Sequence, residues 1–324
     1  MQLDQAVVVI TGASSGIGRA TAHAFARRGA SVVLAARREA ELIDAARECE
    51  DYGARALAVP TDVTDPRQVE ALAQRAQEAF GQIDVWINNA GVLAMGSFED
   101  IPPEDFERVL QVNLHGCIHG ARAVLPYFRR RGRGVLINTA SVVAGAGQPA
   151  SSPYVTSKWA VRGFGESLRM DLVDYPEIHV CTVMPGPIDT PLFQHAANYT
   201  GRAIKAPGVA FAPERVAETM VALARRPRAE AYVGGANRFA SIGHDLMPGI
   251  FERRMARVMG KLLLRDQPAQ AGHGNLFAPV RDGHAVSGGW GQARGGKRRL
   301  GMALVGGLAL VALPAAVAMT RSRR

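Results

Sequence analysis

The sequence predicts a doubly wound α/β fold on a parallel sheet, and three observations carry that expectation. Short apolar runs alternate with helical stretches along most of the chain. The runs are apolar throughout and do not alternate with polar residues, and the first ends in a glycine-rich turn that opens a helix. Strands of a parallel sheet are covered on both faces, so they read as continuous hydrophobic segments. At 324 residues, 48% of them hydrophobic and 6% aromatic, the chain can build one large domain.

The elements follow in order. Residues 7–10 (VVVI) form the first strand, 17–28 carry apolar positions at helical spacing, and Gly29 stops them. Residues 31–35 are a second buried strand, 56–64 (ALAVPTDVT) a third, 66–80 a helix, and 83–91 (IDVWINNAG) a strand ending in a turn. A helix is expected over 103–129, a strand over 135–138, a helix through residues 154–158, and a strand over 178–186 (IHVCTVMPG). Such βαβα order places ligand chemistry at the carboxyl ends of the strands.

Beyond residue 265 the character changes. Residues 266–299 are rich in Gly, Ala, Gln and Pro without periodic hydrophobicity, the composition of a flexible linker. Residues 300–319 run for 20 positions without a charge between KRR and RSRR. At about 1.5 Å per residue such a helix crosses about 30 Å of hydrocarbon. The expectation is a transmembrane helix followed by a basic tail, 320–324; a buried helix at an oligomer interface is the competing account. Residues 248–266 place Ile250, Phe251, Met255, Val258, Met259, Leu262 and Leu263 on one stripe beside Arg253, Arg254, Arg257 and Lys261. That pattern suits a helix lying at a membrane interface or one packed on the core with a solvated basic face.

The formal charge of +9 is concentrated at the end of the chain, where six basic residues from Lys297 onward meet no acidic one. No nucleic-acid-binding motif accompanies it, so a nucleic-acid partner is not expected. Cys49, Cys117 and Cys181 are far apart and lack metal-ligand spacing, as suits small core residues. His115 and His119 share a helix face with no evident third ligand, so no metal is expected.

Two stretches carry chemistry. The turn Thr11-Gly12-Ala13-Ser14-Ser15-Gly16-Ile17-Gly18 follows a strand and opens a helix, where glycines let phosphates approach backbone amides and the positive helix terminus. Its spacing is G-x-x-x-G-x-G and not G-x-G-x-x-G. At the end of the second strand, Ala36 is followed by Arg37 and Arg38 with no carboxylate. Guanidinium groups there can bind a 2′-phosphate by paired, charge-assisted hydrogen bonds, which points to NADP(H) over NAD(H). Further on, SSPYVTSKWA sets Tyr154 and Lys158 four residues apart, on one helical face. A nearby cation favours the phenolate.

Together these segments resemble the short-chain dehydrogenase/reductase family over about residues 5–240. The resemblance rests on TGASSGIG at 11–18, DV at 62–63, NNAG at 88–91, Asn113, Ser141, YVTSK at 154–158 and PGPIDT at 185–190. It implies a Rossmann fold with a single catalytic domain, 1–265, and a catalytic set of Asn113, Ser141, Tyr154 and Lys158. Tyr154 would be the general acid/base, Lys158 would hold the nicotinamide ribose, Ser141 would position the substrate oxygen, and Asn113 would hold a water leading from Lys158 to solvent.

The resemblance also implies a cofactor cradle. Gly12, Ser14, Ser15, Gly16, Ile17 and Gly18 would face the phosphates, with Arg37 and Arg38 at the adenosine end. Asp62 and Val63 would contact the adenine; Asn89, Ala90 and Gly91 would border its ribose. Pro185, Gly186, Ile188 and Thr190 would cradle the nicotinamide end. The substrate loop should follow Pro185, where Phe193, Tyr199, Ile204, Val209 and Phe211 offer apolar surface and Arg202 and Lys205 could anchor an anion. That composition suits a lipophilic carbonyl or alcohol. A homo-oligomer is expected, membrane-associated, with its catalytic domain in the cytoplasm. A non-catalytic NADP(H)-binding scaffold and an isomerase or epimerase on the same fold are the alternatives; net cofactor oxidation separates a reductase from both.

Overall fold

In the computed structural model, residues 1–206, 210–234, 244–280 and 283–290 are described. The chain lays down β1 (Val7–Thr11), α1 (Gly16–Ala26), β2 (Ser31–Ala36), α2 (Glu39–Asp51), β3 (Ala56–Pro60), α3 (Pro66–Phe80) and β4 (Val85–Asn88). After the two-residue β5 (Ala94–Met95) come α4 (Pro103–Leu110), α5 (Gly116–Arg131), β6 (Gly134–Thr139), α6 (Ser152–Asp171) and β7 (Ile178–Pro185). Short β8 (Ala197–Asn198) and β9 (Arg202–Ile204) precede α7 (Pro213–Arg225), β10 (Glu230–Val233), α8 (Pro248–Leu263) and β11 (Leu264–Pro268).

Seven strands pair in parallel in the order β10-β7-β6-β4-β1-β2-β3. This is the doubly wound sheet expected from the apolar runs. The winding reverses between β1 and β4, where Val9 pairs with Trp86 and Ile10 with Ile87; a crevice opens at the strand ends at such a reversal. Alternate residues of each strand feed two cores, one on each face. Val8, Ile10, Val32 and Leu34 pack towards α1 and α7, while Val7, Val9, Val33 and Trp86 pack towards α3 and α5. All eight are buried, so no strand in this part of the sheet has a polar face.

Local chemistry sets the helix ends. Asp65 caps α3 by accepting the Arg67 N–H at 3.0 Å, Pro66 opens the first turn, and Gly81 (φ +74°) closes the last. The single helix expected over 103–129 is interrupted. A π-helical turn, Gln111–His115, separates α4 from α5, and Asn113 lies at its centre. Wide turns of this kind shift the side-chain phase without breaking the apolar stripe, so periodicity does not reveal them.

The flexible linker expected over 266–299 is not what its described part forms. β11 pairs antiparallel with β9, and the amides of Asn198 and Gly272 exchange hydrogen bonds at 2.9 and 3.1 Å. Leu276 is fully buried, and Asp189 accepts hydrogen bonds from the Ser287 hydroxyl and the Trp290 N–H, both at 2.8 Å. A few anchors and many backbone bonds hold this strap, a pattern that composition alone does not display. Among the described residues no helix is long and apolar enough to cross a membrane. The expected span 300–319 and the tail 320–324 lie outside the described residues. On α8, Phe251 and Leu263 are buried while Ile250 and Val258 are exposed. Met259 packs with Leu263 near Leu93, Met95 and Tyr154, so part of the stripe belongs to the core.

Candidate active site

One cavity of about 270 Å³ runs along the carboxyl ends of the strands. Its walls include Gly12, Ser14, Ser15, Gly16 and Ile17 of the glycine-rich turn, Arg37 and Arg38 after β2, and Asp62 and Val63 after β3. Asn89, Ala90 and Gly91 follow β4, Ser141 follows β6, and Pro185, Gly186, Ile188 and Thr190 line the end and exit of β7. Tyr154 and Lys158 enter from α6. Two expected residues stand behind the walls. Gly18 packs against the turn, where a Cβ would lie 2.1 Å from the Gly12 carbonyl oxygen. Asn113 is fully buried; its Oδ1 accepts the Val92 N–H at 2.8 Å and its Nδ2 donates to the Val92 carbonyl and Ser157 Oγ, both at 3.0 Å.

The turn is shaped for a close backbone approach. Gly12 sits at φ +67°, and a Cβ there would meet Ala90 Cα at 2.8 Å. Gly16 (φ +55°) faces Thr190, 3.3 Å from where its Cβ would be, so the two lips of the groove nearly touch. Asn89 Nδ2 ties β4 to the turn by donating to the Thr11 carbonyl at 3.0 Å. A cradle bare of side chains at a helix N-terminus fits the phosphates of a dinucleotide.

At the other end, i/i+4 spacing on α6 brings Tyr154 and Lys158 together, with Lys158 Nζ 5.5 Å from the ring centre. Lys158 donates to the Thr139 carbonyl at 2.8 Å. A Cβ on Gly91 would lie 3.4 Å from Asn113 Oδ1 and 3.6 Å from Lys158 Nζ, so these two groups converge on one point. The Ser141 hydroxyl donates to the Pro185 carbonyl and accepts the Val143 N–H, both at 3.4 Å, and lines the same cavity as the Tyr154 phenol.

The electrostatics differ from the expectation of an eased phenolate. Burial pushes Tyr154 up to about 12, with the Ser141 side chain opposing it, and burial lowers Lys158 to about 8. Desolvation is the leading cause of both shifts, so the phenol stays protonated at neutral pH. Asp62 is held below the usual carboxylate range although burial opposes this; the Thr64 backbone and hydroxyl and Arg108 stabilise its charge.

The substrate end is lined by Leu93, Val143, Gln148, Leu192, Phe193 and His195. Of the loop residues expected there, Phe193 reaches the cavity, and Val209 lies outside the described residues. Tyr199 instead donates to Asp105 at 2.6 Å, Ile204 packs with Leu263, and Phe211 lies under Arg215. Arg202 pairs with Asp266, and the Lys205 N–H donates to the Leu263 carbonyl; neither residue lines the cavity. His195, Gln148 and the strap residues Asn275, Pro279 and Val280 were not anticipated. His195 carried a signal as an imidazole within the substrate loop, whereas the strap carried none.

A family model described as short chain dehydrogenase matches residues 6–199. An uncharacterized oxidoreductase of Bacillus subtilis, YxnA, is 36% identical over 261 residues, covering 80% of this chain and 73% of that protein. The probable oxidoreductase EphD of Mycobacterium tuberculosis is 43% identical over 185 residues, 57% of this chain but 31% of its own length. This chain therefore aligns with about a third of that protein. Among solved structures, an alcohol dehydrogenase from the archaeon Thermococcus sibiricus, complexed with 5-hydroxy-NADP, superposes with a TM-score of 0.62 at 30% identity, covering 70% of this chain and 95% of that one. A 3-ketoacyl-(acyl-carrier-protein) reductase from Brucella melitensis, complexed with NADH, gives 0.64 at 28% identity, covering 72% and 99%.

Proposed function

The chain belongs to the short-chain dehydrogenase family of oxidoreductases, and from that premise we propose that it transfers a hydride between NADP(H) and a lipophilic carbonyl or secondary alcohol. The observation that carries this is the convergence of the Tyr154 phenol, the Ser141 hydroxyl and the Lys158 ammonium in a cavity continuous with the glycine-rich turn.

When bound, the nicotinamide supplies or accepts the hydride. The protein handles the proton. As the substrate oxygen gains negative charge, Tyr154 donates its phenolic proton to it; in the opposite direction Tyr154 accepts the alcohol proton. Ser141, on the cavity wall beside the phenol, orients the substrate oxygen. Burial keeps the donor protonated at neutral pH, which suits reduction. Lys158, anchored on the Thr139 carbonyl, brings positive charge to the phenolate side and can hold the nicotinamide ribose. Asn113 fixes the β4–α4 connection through Val92 and approaches the same point as Lys158, consistent with holding a water on a proton path.

The NADP(H) preference is supported by Arg37 and Arg38 on the groove wall and by Ala36 where an acidic residue would favour NAD(H). The related structures carry an NADP derivative in one case and NADH in the other, so the choice rests on these residues. A lipophilic substrate is supported by Leu93, Val143, Leu192 and Phe193 beside Tyr154, and by the uncharged run 300–319, whose length would bring the domain to a membrane.

The test follows NADPH absorbance with full-length protein, NADH alongside, and a panel of lipophilic and small carbonyls. The expected result is NADPH consumption with at least one lipophilic ketone. Tyr154→Phe should lower turnover by about 10²–10⁴-fold while NADPH affinity stays unchanged. Normal turnover in that variant sinks the mechanism.

A further inference from the structure

The strap after β11 has no part in the chemistry above, yet it forms a wall of the cofactor groove. Asn275, Pro279 and Val280 line the cavity beside Arg37, Arg38 and Asp62. The strap is held from several sides. His273 Nδ1 lies 2.7 Å from Oδ1 of the buried Asp105, whose Oδ2 accepts the Tyr199 hydroxyl at 2.6 Å. The Asn275 N–H donates to the His195 carbonyl at 2.9 Å, and the Gly16 N–H of the glycine-rich turn donates to the Ala285 carbonyl at 3.1 Å.

Three successive carbonyls of the strap converge on Arg37. Asn275 accepts from Nη2 at 2.6 Å, and Leu276 and Phe277 accept from Nη1 at 3.2 and 3.1 Å. The Leu276 carbonyl also accepts from Arg108 Nε at 3.1 Å, and Arg108 Nη2 pairs with Asp62 at 3.1 Å. A guanidinium carries five N–H donors in a rigid plane. The three strap carbonyls accept from Nη1 and Nη2, and among the described residues nothing accepts from Nε. The Nε–H and its neighbouring Nη2–H form one edge of the guanidinium, two parallel donors spaced for two oxygens of one phosphate.

We propose that the strap is part of the cofactor site: the carbonyls of residues 275–277 clamp Arg37 so that its remaining edge is held ready for the 2′-phosphate of NADP(H). This rests on the NADP(H) reading of the groove and adds the element that sets the discrimination. A long side chain fixed before binding loses less freedom when the ligand arrives, so the clamp strengthens the phosphate contact without touching it. Arg37 is here the binding residue and the strap positions it. The cavity stays continuous from Gly12 to Tyr154 beside the strap, while the Ala285 carbonyl on the Gly16 amide is the one contact a bound phosphate would have to displace, so a strap that acts as a plug predicts tighter NADPH binding when it is moved.

The test measures NADPH and NADH binding to full-length protein, without turnover. Gly274 sits at φ +50°, and a Cβ there would lie 2.3 Å from the His195 carbonyl oxygen and 2.5 Å from Ala196 C, so Gly274→Ala must displace the strap. Arg37→Ala and the double variant complete a cycle. The expected result is a loss of NADPH affinity of about tenfold or more in Gly274→Ala, NADH affinity within about twofold, and no further loss in the double variant. Unchanged or tighter NADPH binding in Gly274→Ala, an equal loss for NADH, or additive losses would each overturn the clamp. If Arg37→Ala itself leaves NADPH binding intact, the NADP(H) assignment has failed and the clamp with it. Losses in Arg37→Ala alone reject the clamp and keep the assignment. Should Gly274→Ala fail to fold, His273→Ala cuts the exposed latch to Asp105 and carries the same expectation at smaller size.

Discussion

Lys158 Nζ lies 5.5 Å from the centre of the Tyr154 ring, yet it donates to the Thr139 carbonyl, 2.8 Å away, and burial draws the two side chains' proton affinities apart. The phenol is pushed up to about 12 and the ammonium down to about 8. Both shifts favour the neutral form, because a buried charge loses its water.

Stability should therefore depend on pH through this pair. Between about pH 8 and 10.5 the unfolded chain keeps the Lys158 proton while the folded one has released it, so stability rises with pH across that window. Tyr154 acts in the opposite sense between about 10 and 12, where the folded state retains a proton that the unfolded state has lost. Lys158→Met should be more stable than the parent at pH 7, with the advantage shrinking as pH rises from 8 to 10. Urea unfolding of both proteins at several pH values measures this. A difference that does not vary with pH would show that the lysine is not penalised by burial.

Asn113 is a positioning residue whose removal should cost stability as well as turnover. It serves the Val92 N–H, the Val92 carbonyl and Ser157 Oγ from a fully buried site. Asn113→Leu strands the Val92 N–H and carbonyl at about 1–3 kcal/mol each, while Ser157 Oγ keeps its bond to the Tyr154 carbonyl, so a total near 2 kcal/mol or more is expected from urea unfolding. Asn113→Asp keeps the acceptor for Val92 N–H and should recover part of that loss. Equal destabilisation in both variants would place the effect in packing alone.

The fold was legible because parallel strands are buried on both faces: VVVI, SVVLA and VWIN announce themselves by unbroken hydrophobicity and then appear as adjacent strands. Most of the cavity walls were legible for a related reason. Glycines, a Tyr–Lys pair and residues at strand ends mark positions where the topology leaves no choice of direction. What stayed hidden acts through the backbone. The carbonyls of residues 275–277 have no side-chain signature, and a Gly- and Pro-rich segment reads the same whether it is solvated or laid along a groove. The π-helical turn at Gln111–His115 escaped because it keeps the apolar face in place.

Gly12→Ala should abolish cofactor binding while leaving the sheet intact. The φ of +67° penalises any Cβ by about 1–2 kcal/mol, and the added atom would meet Ala90 Cα at 2.8 Å, a backbone contact that cannot rotate away. The loop must shift, and the cradle with it. Quenching of protein fluorescence by NADPH reports the loss, and circular dichroism checks that the fold survives. Parental affinity in the variant would mean that the turn does not approach the phosphates.

The three cysteines should be silent in the folded protein and become reactive together on unfolding. Cys49, Cys117 and Cys181 are buried and unpaired with one another, and burial raises their thiols to about 12, 11 and 11. The thiolate is the reactive form, so both access and ionisation are withheld in the native state. Cys49 and Cys181 share the core on the α1–α7 side, whereas Cys117 packs in a separate cluster beside Ala140 and Val161. Local opening of one element would release one thiol ahead of the rest, whereas a single cooperative unit releases all three at one rate. Timed labelling with a thiol reagent across a urea series, read by intact mass, should show molecules with none or three adducts. A populated single-adduct species at low urea would locate an independently opening segment at the cysteine that carries it.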